Sequence, residues 1–268
     1  MKRALFLSLC LVVLVACQPS DEQRAQSLVD HAQILVDSGN WRYARIVLDS
    51  LHVTYPREVA QRRAAKALSD SITYLEAQAT LAYVDTLLSP LLGQADKLLK
   101  RFVYEKDEKY EEVGKYVHRL LSTNSNTARN FIQAYVQDNR QTVVKSYYYG
   151  NKAVNQNSVT LSASDETTIF RGSNYHFQDG SHYEIMTLDN DNSLSLLNFV
   201  NTHATSRIRV EGNADSRTNN WVYYLNDKEK EALSDTYQLG WLMKDILRLE
   251  QMQHTATAQI ERFIRKNS

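Results

Sequence analysis

His176 and His182 flank the dipeptide Asp179-Gly180 at a spacing that invites a metal hypothesis. Asp-Gly is a two-residue hairpin signal. A two-residue loop pairs Gln178 with Ser181, Phe177 with His182 and His176 with Tyr183. Cross-strand partners share a face and neighbours alternate, so this register sends the two histidines to opposite faces and predicts no metal site. Asp189-Asn190-Asp191-Asn192-Ser193 begins like a twelve-residue calcium loop. Its sixth position is Leu194 where that loop needs Gly, and its twelfth is Val200 where it needs Glu. A polar turn capping the following helix is the expectation. Asp179 and Glu184 form a carboxylate pair of the type a glycosidase uses, but their separation is not set by sequence. G-x-S-x-G, H-E-x-x-H, Walker, G-x-G-x-x-G and C-x-x-C patterns are all missing from the sequence. No catalytic residue, metal ligand or cofactor is therefore expected, and the chain is read as a non-enzyme.

Aromatic residues carry more information. The chain has 16 tyrosines, among them Tyr147-Tyr148-Tyr149 and Tyr223-Tyr224 beside Trp221. Strand alternation puts Tyr147 and Tyr149 on one face and Tyr148 on the other. Exposed aromatic platforms stack on sugar rings or on partner proteins. Tyr147, Tyr149, Trp221 and Tyr223 form the expected recognition surface. Lys plus Arg equal Asp plus Glu at 31 each, so no global field draws in nucleic acid.

The first 16 residues pair a basic Lys2-Arg3 start with an apolar run too short to cross a bilayer. They end in Leu14-Val15-Ala16-Cys17, which resembles the lipobox of bacterial lipoproteins. That resemblance implies cleavage before Cys17, acylation of Cys17 and attachment to a membrane through acyl chains. Gln18, where similar proteins use Asp for inner-membrane retention, implies the outer membrane. Cys10, the second of the two cysteines, lies in the discarded segment, so the mature chain is expected to hold no disulfide.

The elements that must position the aromatics follow from composition. Sixteen of 18 asparagines fall between Asn124 and Asn226, so the flanks read as helical and the middle as strands and turns. After a lipidated tether at 17–22, residues 23–56 read as a helical hairpin broken at Ser38-Gly39-Asn40. Gly39, Trp41, Ala44 and Pro56, with Ala32, resemble a single tetratricopeptide repeat, departing from that motif at Leu51. Residues 57–139 carry heptad seams (Ala65, Leu68, Ile72, Leu75, then Leu91, Ala95, Leu98, Phe102) and read as long helices, with a kink or break at Pro90. Residues 226–268 open on an Asn226/Glu229 capping box and continue as a seam through Leu239, Leu242, Ile246 and Leu249. A helix of that length, about 58 Å, needs a partner, and an antiparallel coiled coil with 57–121 is expected.

The fold class expected is α+β, mostly α: a helical hairpin, a long antiparallel coiled-coil shaft and a small β-rich head inserted at 140–225. Function is expected to be that of a lipid-anchored, non-enzymatic scaffold or adaptor engaging another envelope protein. A glycan-binding lipoprotein using the head's aromatics is the first alternative, and a hydrolase with an unrecognised site the second.

Overall fold

The computed structural model describes residues 19–109, 111–121, 128–214 and 220–268. Residues 1–16, read above as a leader, and Cys17 lie outside them. The described residues form five α-helices and ten strands. No helix among the described residues is long and apolar enough to cross a membrane. The chain divides into two compact units. One takes in residues up to Val84 together with Met252–Ser268; the other is Asp85–Gln251.

The first unit is helical. Ser20 caps α1 (Asp21–Asp37), closing a capping box with Gln23. Gly39 takes φ +78°, a backbone state open to residues without a Cβ, and lets the chain reverse into α2 (Trp41–Thr54). Ala32 and Ala44 are fully buried, so small side chains let the two helices approach. Ala65, Leu68 and Ile72, from the start of α3 (Val59–Leu99), complete the core with Leu48 and Leu51. That half of the first heptad seam thus serves as the third wall of the hairpin. Arg45 ties α2 to α3 through Thr73 Oγ1 at 2.9 Å and Glu76 Oε2 at 2.6 Å. Tyr74 stacks on Phe263 near the end of α5 (Asp227–Asn267), with ring centroids 4.6 Å apart.

The second unit corrects the expected fold class. Among the described residues it holds ten strands in two antiparallel sheets, a large β domain in place of a small head. The first sheet has the order β1-β2-β3-β4-β8-β7, with β1 (Phe102–Glu105), β2 (Lys115–His118), β3 (Phe131–Gln137), β4 (Thr142–Gly150), β7 (Ser173–Asp179) and β8 (Ser181–Thr187). The second has the order β10-β9-β5-β6, with β5 (Ser158–Ala163), β6 (Glu166–Arg171), β9 (Arg209–Asn213) and β10 (Asn220–Tyr224). Three strands, β1 to β3, occupy residues assigned to the helical shaft. Phe102, the last residue of the second seam, is the first of a strand, and Phe102-Val-Tyr-Glu and Phe131-Ile-Gln-Ala-Tyr-Val-Gln are aromatic and β-branched runs. Pro90 sits inside α3, which continues through it.

One core draws on both sheets and on α4 (Asn190–Thr202), including Ile132, Val144, Leu161, Met186, Leu197 and Trp221. Asp189 caps α4 by accepting the Asn192 N–H at 2.8 Å, so the calcium-like run is a helix cap. The first turn of α4 also completes β4, because Asn190 Oδ1 and Ser193 Oγ accept the N–H groups of Thr142 and Val144 at 2.9 Å. The C-terminal helix opens on the expected box, with Asn226 and Glu229 exchanging side chain-to-backbone bonds of 2.9 Å. Its seam residue Leu239 packs against Phe102 and Val136, so strands as well as helix cover that seam. Leu242, expected in the seam beside Ile246, is half-buried while Ile246 is fully buried.

A buried polar cluster joins β2 to α5. His118 accepts the Leu120 N–H on Nδ1 at 3.2 Å, which leaves Nε2 as the protonated nitrogen, 3.0 Å from Asp235 Oδ2. Arg101 reaches Asp235 at 2.7 Å and also meets Glu231. Desolvation pulls the His118 pKa below 6.5 and Arg101 adds to this, outweighing Asp235 and Glu231. An unfolded chain therefore binds a proton that the native one rejects. Stability from this group is complete above about pH 6.5 and is expected to be lost as pH falls through the depressed native value. Urea midpoints measured from pH 8 to pH 5 should drop across that window, and His118→Gln should flatten the profile. An equal slope in both proteins would refute the assignment.

Candidate functional site

Alternation along β3, β4, β8 and β7 sorts their side chains onto two faces. Ile132, Ala134, Val144 and Met186 face the core. The opposite set is aromatic. Register puts Phe131 opposite Tyr147, Tyr149 opposite Tyr183, and Tyr183 opposite Phe177. Phe131 stacks on Tyr147 at 4.4 Å with planes 3° apart, and Phe177 stacks on Tyr183 at 4.7 Å with planes 2° apart. Tyr149 leans against Tyr183 at 4.9 Å. Together with Ile185 and Arg129 they line a groove of about 240 Å³ with a predominantly apolar surface. The Arg129 guanidinium lies 5.6 Å from the Phe131 ring centroid.

The groove's polar side-chain groups are its phenols and the Arg129 guanidinium. Tyr147 Oη donates to Gln133 Oε1 at 3.1 Å, and Ser181 Oγ donates to Tyr149 Oη at 3.1 Å. Burial raises the Tyr147 and Tyr183 phenols, so both stay neutral donors at physiological pH. Further along the face, Lys115 and Lys145 sit 5.8 and 5.7 Å from the Tyr135 ring centroid. Burial, and then Lys115, lowers the Lys145 ammonium, while burial pushes the Tyr135 phenol up to about 12.

The groove ends at a strand edge that is unpaired among the described residues. β7 is the outermost strand of its sheet, paired on one side with β8, and all seven of its residues are exposed. Tyr175 is 65% and Phe177 41% exposed, and both belong to the groove face. β7 carries neither Lys nor Pro, the residues that commonly blunt an edge.

The structure splits the four expected recognition residues. Tyr147 and Tyr149 line the groove, with Tyr148 on the other face as alternation requires. Trp221 and Tyr223 are elsewhere. Trp221 is 5% exposed and donates its indole N–H to Gln156 Oε1 at 3.2 Å. Tyr223 packs on the core and its hydroxyl accepts the Ile132 N–H at 2.9 Å, while burial raises its pKa well above 10.0. Phe131, Phe177, Tyr183 and Ile185 complete the groove without having been singled out. The register read from the sequence sets Phe177 opposite His182 and away from Tyr183, and Phe131 lies in a segment that reads as shaft.

The carboxylate pair does not converge. Glu184 is 1% exposed on the core side of β8, where it accepts three backbone N–H groups. Asp179 stands on the other face of the hairpin. Among the described residues, no group of three or more His, Cys, Asp or Glu side chains is arranged to hold a metal.

The histidine expectation is overturned. Asp179 pairs with Ser181 around Gly180, which takes φ +68°, so Gln178 faces His182 and His176 faces Glu184. This one-residue shift brings both histidines to one face, with His176 Nε2 2.9 Å from His182 Nδ1 and the rings 8° from parallel.

Compared with known proteins, the chain matches no family, no curated protein and no solved structure. The class defined by its fold is that of a two-sheet α+β domain with an aromatic groove on one sheet face.

Proposed function

We propose that the chain is a non-enzymatic, lipid-anchored envelope adaptor that captures an extended segment of a partner protein. The segment adds as a strand to β7 and places an apolar side chain in the groove beside it. The observation that carries this reading is the continuity of the groove with the free edge of β7. A strand edge offers alternating unpaired N–H and C=O groups that only another extended backbone satisfies in series. The groove supplies side-chain selection at every second position. Its apolar lining suits Leu, Phe or Tyr better than a saccharide, whose hydroxyls would meet few polar partners. Burial of Trp221 and Tyr223 removes half the platform on which a glycan reading rests. Acylation at Cys17 would hold this surface at the outer membrane.

Peptides selected on the purified chain from a displayed random 12-mer library test the reading. Enrichment of alternating apolar residues is expected, with affinity falling about 30-fold in Tyr183→Ala. Tyr224→Ala, on the four-stranded sheet, should leave affinity unchanged. Failure to enrich any sequence, or equal affinity in Tyr183→Ala, refutes the proposal. Binding on a saccharide array that is lost in Tyr183→Ala would put the glycan reading in its place.

A further inference from the structure

The hairpin's other face carries a second arrangement, independent of the groove. His176 on β7 and His182 on β8 are diagonal neighbours on it, His176 exposed and His182 half-buried. Their nearest nitrogens share one proton across 2.9 Å. Two imidazoles bound cis to one ion, each about 2.05 Å from it, have nitrogens about 2.9 Å apart at 90° and about 3.4 Å apart at the tetrahedral angle. The observed spacing matches the first.

We propose that His176 and His182 form a bidentate site for a divalent transition ion of tetragonal preference, Cu²⁺ above all. Imidazole suits this ion, and among first-row divalent metals Cu²⁺ binds a given nitrogen site most tightly. The ion takes the shared proton's place, that proton passing through solvent to the far nitrogen of the donating ring so that both imidazoles stay neutral, and each ring turns by about 45° from the N–N axis to aim its lone pair at the ion. The remaining positions fall to water, with Gln178, the cross-strand partner of His182, as the adjacent side-chain donor. The scaffold holds the pair in place. Gly180 fixes the turn, and Glu184, opposite His176, is pinned by backbone N–H groups from 154–156. Glu184 thereby keeps the hairpin's register without competing for the ion.

The test uses the full chain without a polyhistidine tag, titrated with Cu²⁺ and read by electron paramagnetic resonance and competition with a chelator. One equivalent should bind with a spectrum of two equatorial nitrogens and raise the melting temperature. His176→Gln and His182→Gln should each weaken binding at least about ten-fold by ending chelation. Exposed His254→Gln should change nothing. Undiminished binding in the double variant, or a spectrum with one nitrogen, would overturn the site. Tighter binding of Zn²⁺ than Cu²⁺ would overturn the cis-tetragonal assignment. Peptide capture should survive in the double variant, since the groove lies on the opposite face.

Discussion

Replacing Glu184 by Ala is expected to cost the β-rich unit about 3–5 kcal/mol, because it strands amides that nothing else satisfies. The Glu184 carboxylate is the acceptor for a loop that has no ladder of its own. Its Oε1 receives the N–H groups of Val154 at 2.6 Å and Asn155 at 2.7 Å, and its Oε2 that of Gln156 at 2.7 Å. Asn174 Nδ2 adds a weaker bond at 3.3 Å. Asn155 adopts φ +55°, a left-handed state that brings successive N–H groups toward one point. Val154 and Gln156 are buried, so water cannot reach the groups that alanine would abandon. For a unit of this size the loss corresponds to a melting temperature lower by roughly 10 °C. Glu184→Gln keeps one acceptor oxygen but sets an NH₂ against a backbone N–H, so about half the loss should remain. Urea denaturation followed by near-ultraviolet circular dichroism measures both. A loss below about 1 kcal/mol for the alanine variant would show that the loop finds other acceptors.

Trp221→Ala is expected to cost about 3–5 kcal/mol as well, by opening a cavity between the sheets. The indole lies flat over Gly212, its cross-strand partner, where a Cβ would stand 2.2 Å from Nε1. Tyr148 and Tyr223 flank it, with centroids at 6.4 and 5.8 Å. Its N–H satisfies buried Gln156, whose Nε2 in turn donates to the carbonyls of Ser146 and Glu184 at 3.1 and 3.3 Å. Trp221→Phe retains part of the packing and loses that bond, so a smaller loss of about 1–2 kcal/mol should follow. Peptide capture, measured where each variant remains folded, should be unchanged, in contrast to Tyr183→Ala. A Trp221→Ala protein of native stability that had lost capture would return Trp221 to the recognition surface.

The contrast between these residues marks where local information stops. Helix starts and stops were legible in the sequence because their interactions span three or four residues. Gly39 after α1, Asp189 before α4, and Asn226 with Glu229 all stand where capping chemistry puts them, whereas the Ser20–Gln23 box starts α1 inside the segment expected to be tether. The Asp179-Gly180 hairpin was legible for the same reason, as was the opposition of Tyr148 to Tyr147 and Tyr149. Register was not. Pairing Asp179 with Ser181, one step from the two-residue loop, reverses which side chains share a face, and that step separates scattered histidines from a pair. Heptad spacing recorded that Ala65, Leu68, Ile72 and Leu239 needed cover, but an apolar stripe has no means of naming what covers it. The hairpin took the first three, and strands β1 and β3 helped to take the last. Phe102 fits the end of a helical seam and the start of a strand equally well, and pairing with His118 decided for the strand. Tyr and Trp in strands are compatible with either face of a sheet. Only the closure of the second sheet and α4 over the first buried Trp221 while leaving Tyr175 and Phe177 open, because burial is a property of contacts distant in the chain.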